Sequence, residues 1–127
     1  MKEPVWVLRE VVLTLHDVLL AEFGGPLGIR DEALLESALA RPQQLFHYED
    51  PDLFTLATAY IYGILKNHPF IDANKRTAFM TGFVFLNRNG KLMTAPEAET
   101  TQAILKLTDG NMTEAEFTHW LKKNCET

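Results

Sequence analysis

The amino-acid sequence predicts an all-α fold of about six helices in one domain covering residues 1–127. Apolar residues recur at helical spacing along most of the chain, and no strand-like alternation runs longer than three or four residues. Glycine, proline and capping signals separate the periodic segments, while no internal repeat or linker-like stretch divides them. With 127 residues, 46% apolar and 23% charged, the chain has an ordinary globular composition, which excludes disordered, collagen-like and low-complexity classes. A core of that size needs no disulfide or metal staple.

Taken in order, Leu8, Val11, Val12, Leu15, Val18, Leu19 and Leu20 hold helical spacing up to Phe23, where Gly24-Gly25 stops the pattern. After a loop at 26–30, Asp31 caps a second helix through Ala33, Leu34, Leu35, Ala38 and Leu39. That helix is expected to end near Arg41, because proline disfavours helical geometry in the residue before it and Pro42 follows. Residues 43–50 have no clear period and read as a loop or a short hairpin. Pro51 fits the first turn of a third helix capped by Asp50. Its stretch at 53–65 holds 13 residues without a charge, too few to span a bilayer and suited to a buried central helix. A fourth helix starts at Asn74 or Lys75, buries Phe79, Phe83, Val84 and Leu86, and closes at Asn89-Gly90. Thr94 with Glu97 and Thr113 with Glu116 have capping-box spacing and open two more helices, the last carrying Phe117, Trp120 and Leu121.

A formal charge of −5 argues against broad electrostatic attraction to nucleic acid or an anionic membrane. The single cysteine, Cys125, cannot form an intrachain bridge, and the sequence starts with an acid and a proline where a signal peptide needs a basic start and an apolar run. A reducing, cytoplasmic setting is therefore expected. Metal-ligand clusters of His and Cys are absent from the sequence. Trp6 and Trp120 read as packing residues, and His16 and His119 as structural or exposed.

Between the two most apolar helices, residues 68–76 place five polar or ionisable side chains in nine positions: His68, Asp72, Asn74, Lys75 and Arg76. Buried ionisable groups cost several kcal/mol each unless paired, so this set implies a cleft with a ligand to meet it. Residues 74–77 begin a helix, whose free amides and positive dipole end favour a bound phosphate, and Lys75 and Arg76 add charge there. Asp72 is a hard oxygen ligand suited to a magnesium ion shared with phosphates. His68 can accept a proton near neutral pH. A lone His or Asp beside a helix end is usually structural; the joint pattern is what points to a site.

The run His-Pro-Phe-Ile-Asp-Ala-Asn-Lys-Arg at 68–76 resembles the signature of the Fic/Doc family, His-x-Phe-x-Asp-(Gly/Ala)-Asn-(Gly/Lys)-Arg, and Lys75 resembles its Doc, "death on curing", branch. Leu15-His16-Asp17, Phe23-Gly24-Gly25, Gly28-Ile29-Arg30-Asp31, the stretch 34–38 and the stretch 85–90 also resemble family features, so the likeness covers roughly residues 8–125.

The resemblance implies a compact helical fold with the active site on this loop and the helix after it. Fic-branch proteins transfer a nucleotide monophosphate from ATP to a protein hydroxyl, with two glycines leaving an open anion nest. Here Ala73 and Lys75 stand at those places. Doc-branch proteins bind ATP inverted and transfer its γ-phosphate to a threonine of translation elongation factor Tu. The resemblance thus implies a toxin kinase using ATP and magnesium. His68 would be the base and Asp72 the metal-orienting acid, with Lys66, Asn74, Lys75 and Arg76 on the phosphates. In the family the segment matching 43–50 is a flap that docks the target, which nominates Phe46, His47 and Tyr48. No Glu is followed by Gly or Asn, as the family's internal inhibitory helix requires, so an antitoxin in trans is the implied partner. Met80 stands where Doc-branch chains have an asparagine. The rival readings are nucleotidyl transfer, if Lys75 swings aside, and a partner-binding protein without catalysis.

Overall fold

The computed structural model describes residues 2–126 and is built from six helices, α1 (Arg9–Phe23), α2 (Glu32–Glu49), α3 (Leu53–Asn67), α4 (Asn74–Arg88), α5 (Glu97–Asp109) and α6 (Glu114–Lys123). A two-residue strand β1 (Leu92–Met93) pairs antiparallel with β2 (Cys125–Glu126), a feature too short to show as alternation in the sequence. The all-α expectation holds.

Helix α1 buries Val12, His16 and Leu20, one residue per turn, and stops where Gly24 takes φ 79° and donates its N–H to the Leu20 carbonyl. Asp31 caps α2 as expected, its Oδ1 accepting from the Leu34 amide at 3.0 Å. The expected stop near Arg41 is corrected: α2 runs through Pro42 to Glu49, so residues 43–50 form neither a loop nor a hairpin. Proline removes one helical N–H, but the ring is buried in line with Leu35, Ala38 and Leu39, and Phe46 packs edge-on against Trp6 at 5.6 Å beyond it. Burial of that continuous stripe outweighs the lost bond.

The cap of α3 is Asp52, not Asp50; its Oδ1 accepts from both the amide and the hydroxyl of Thr55, and Pro51 lies before the helix. Leu56, Ala57, Tyr60, Ile61 and Ile64 are inaccessible to solvent, and α3 is the element against which α2, α4 and α6 pack. Two glycines set the spacing. A Cβ at Gly63 would press on the Ala38 backbone of α2, and one at Gly82 of α4 would overlap the Ile61 side chain. Phe85 and Leu86 of α4 are buried, whereas Phe79, Phe83 and Val84 are half-buried around the core.

The box expected at Thr94 does not form, because the Thr94 amide and hydroxyl both donate to the Asn124 carbonyl and α5 starts after Pro96 without a side-chain cap. The box at Thr113 and Glu116 does form, with both reciprocal bonds present. Trp6 stacks on Phe85, and Trp120 packs tilted against Phe117, as packing residues do. No helix among the described residues is long and apolar enough to cross a membrane.

Tyr60 locks the segment before α1 to the core. Its hydroxyl accepts from the Val7 amide at 3.0 Å and donates to the Val7 carbonyl at 3.4 Å, and burial pushes its pKa from 10 up to about 12. Tyr60→Phe leaves both Val7 groups unpaired and should cost about 1–3 kcal/mol in urea denaturation. A folded-state pKa above the unfolded value favours the native state below pH 10, so wild-type stability should fall as pH rises from 10 towards 12, and Tyr60→Phe should lack that component.

Candidate functional site

The six-residue loop 68–73 joins the C-terminus of α3 to the N-terminus of α4, and both of its ends lie in left-handed backbone: His68 at φ 49° and Ala73 at φ 63°. Positive φ is unfavourable for both side chains, so surrounding bonds must hold the loop in place. Asn67 and His68 leave helix-terminal carbonyls without helical partners, and Arg30 supplies both, donating from Nη2 to Asn67 O at 2.9 Å and from Nε to His68 O at 2.7 Å. The Arg30 and Asp31 amides donate to Pro69 O, the Ile71 amide donates to Gly28 O, and Asn67 Nδ2 donates to Leu34 O. The corner between α1 and α2 thus pairs with the loop like a short strand.

From inside, Asn74 closes the loop. Its Oδ1 accepts from the Phe70 amide at 3.0 Å and its Nδ2 donates to the Phe70 carbonyl at 2.9 Å, in a buried setting. Both of its polar groups thus bond to the loop, and its backbone N–H lies in the first turn of α4. Ala73 caps that turn with no side-chain bond, so the leading amides are open to an anion.

On the outer surface the other residues gather around this turn. His68, Asp72, Lys75 and Arg76 are exposed, and no ion pair or hydrogen bond ties up the Asp72, His68 or Lys75 side chain among the described residues. Lys66 is exposed in the last turn of α3, where its charge also suits the helix dipole. Met80 is half-buried one turn further along α4 from Arg76. Asp72 offers one free carboxylate beside an anion-binding helix end, a fit for magnesium that takes its remaining ligands from phosphates and water. No cluster of three or more His, Cys, Asp or Glu able to hold a metal by itself exists among the described residues.

Phe46, His47 and Tyr48 are not brought to this loop. They sit in the last turns of α2, whose first turn touches it, which places them roughly 20 Å away at 1.5 Å per residue. Phe46 packs on Trp6, while His47 and exposed Tyr48 line a groove of about 640 Å³ with Leu8, Arg9, Gln43 and Gln44. A second cavity of about 330 Å³ lies between α5 and α6.

Two residues of the α1–α2 corner belong to the site although sequence reasoning gave them no role. Gly25, at φ 121°, lies directly against the Asp72 carboxylate, and a Cβ there would overlap Oδ2. The Phe23 ring lies 4.2 Å from the Arg76 guanidinium carbon and, at this exposure, contributes about 0.5–1 kcal/mol of cation–π attraction. Both fall in the Phe23-Gly24-Gly25 feature quoted above. The feature was legible; the partner of each residue was not, since they are some fifty positions away.

A model of the Fic/DOC family matches residues 6–86, a span that includes the loop and all of its clamps. Among curated relatives, the protein named Toxin Doc from Mycolicibacterium smegmatis is 40% identical over 89 residues, 68% of this chain and 66% of that protein. The protein named Protein kinase doc from Escherichia phage P1 is 37% identical over 90 residues, 69% of this chain and 71% of the relative. The match thus spans just under two thirds of the length of the first.

The contact at Gly25 gives a direct test. Gly25→Ala combines an unfavourable φ with displacement of the Asp72 carboxylate, and should destabilise the fold by about 1–3 kcal/mol. Amide shifts in an ¹⁵N spectrum should move at residues 70–74 and not in α5 or α6.

Proposed function

The chain belongs to the Fic/DOC family, and from that premise we propose that it is a Doc-like toxin acting as an ATP-dependent protein kinase. Its substrate in this reading is a hydroxyl of a translation factor, elongation factor Tu by family resemblance, and its partner is an antitoxin acting in trans in the cytoplasm. The observation that carries the proposal is the pairing of a free His68 and Asp72 with Lys75 and Arg76 on the uncapped first turn of α4. The names of the two relatives support it.

The chemistry follows from placement. Lys75, Arg76 and the leading amides of α4 hold the triphosphate, and the lysine fills the space that a glycine would leave for the reverse orientation. Asp72 would hold magnesium, which neutralises phosphate charge when bound. With the γ-phosphate towards His68, the imidazole accepts the proton of the incoming hydroxyl. The hydroxyl oxygen bonds to the γ-phosphorus, the bond from that phosphorus to the β-bridging oxygen breaks, and ADP leaves with that electron pair. Positioning and electrostatics supply most of the rate.

ATP labelled at the γ-phosphate should label a protein in bacterial lysate, and ATP labelled at the α-phosphate should not. Label from the α position would make the enzyme a nucleotidyl transferase, and none from either would favour a non-catalytic clamp. His68→Ala should fold normally and lose on the order of 10²- to 10⁴-fold in rate, abolishing growth arrest on expression. Calorimetric ATP affinity should fall by about 1.5–3 kcal/mol in each of Lys75→Ala and Arg76→Ala. If Met80 limits nucleotide orientation for want of an amide, Met80→Asn should raise γ transfer alone.

A further inference from the structure

His16 lies 56 positions before Asp72 in the sequence and is buried, 3% exposed, on the inner face of α1. Its ring lies parallel to that of Phe70, with centroids 3.9 Å apart and planes at 14°. Its Nε2 is 2.9 Å from the backbone carbonyl oxygen of Asp72. A carbonyl oxygen only accepts, so Nε2 carries the proton and donates.

That carbonyl sits at a demanding place. It immediately precedes Ala73, whose left-handed φ of 63° turns the chain into α4, and the Asp72 carboxylate projects from the same residue against Gly25. We propose that His16 is a positioning residue for Asp72, fixing the peptide that aims its carboxylate; this rests on the reading of Asp72 given above. Phe70, on whose ring His16 stacks, has both of its backbone polar groups held by Asn74, so the stack gives His16 a rigid platform. Asp72 is then met twice, by His16 of α1 at the main chain and by Gly25 of the α1–α2 corner at the side chain. Residues that orient a metal-binding carboxylate in this way typically change metal affinity or activity by about 10- to 100-fold when altered.

The test compares the full chain with His16→Phe, which keeps the stacked ring and loses the donor, and His16→Gln, which keeps an N–H donor. In the wild type, long-range ¹H–¹⁵N spectra should show the His16 ring protonated at Nε2. In His16→Phe without ligand, amide shifts should move at residues 71–74. The midpoint of the MgATP-induced shift of the Asp72 carboxyl ¹³C signal should rise about tenfold, with His16→Gln recovering much of the change. Unchanged 71–74 shifts and an unchanged midpoint in His16→Phe would overturn the proposal, as would a wild-type ring protonated only at Nδ1. If His16→Phe fails to fold, the wild-type tautomer and the behaviour of His16→Gln decide. If the wild type gives no MgATP response, the functional reading fails by itself, and the ligand-free shifts still decide the role of His16.

Discussion

The site depends on one arrangement, the Arg30 guanidinium lying across the carbonyls of Asn67 and His68. A helix that ends in left-handed backbone leaves acceptors facing outward, and water would satisfy them in many loop conformations. Arg30 satisfies both from one planar group, so it selects a single conformation. The neighbouring bonds from the backbone of 28–31 to Pro69 and Ile71 then follow in register. The guanidinium thereby joins the left-handed turn at His68 to the path that takes Phe70 into the core.

This explains why the polar residues of the loop can be exposed and still well placed. The loop has an inner and an outer surface. Phe70 and Asn74 form the inner one, buried and bonded to each other, while His68, Asp72, Lys75 and Arg76 occupy the outer one with their side chains exposed. Desolvation is therefore avoided at these side chains and confined to an amide whose two polar atoms are both satisfied. A nucleotide would complete the low-dielectric surroundings from the open side.

Much of this was legible in the sequence. The 3.6-residue pattern reported α1, α3 and α4 because their apolar residues recur at helical spacing with no proline inside, and the Thr113 box reported α6. Pro42 misled because a local rule about backbone geometry was weighed without the buried stripe that continues beyond it to Phe46. Thr94 misled because its hydroxyl had a distant competitor, the Asn124 carbonyl. In the site, residue types nominated His68, Asp72, Lys75 and Arg76, all of which are exposed around the loop. They did not announce that Asn74 turns inward, or that Phe23, Gly25 and His16 come to the loop, since those facts are contacts between segments far apart in the chain.

The glycines at 63 and 82 bear on the site from within the helix packing. They act as spacers of zero thickness between α2, α3 and α4, and the loop is strung between the tips of α3 and α4. A six-residue span cannot absorb a change in the distance between its anchors without rotating its own peptides. The gap from the His68 imidazole to the cationic turn at Lys75 is thus gauged by core thickness. Evolution could widen or narrow it by adding single methyl groups within the helix packing, leaving every residue of the loop unchanged.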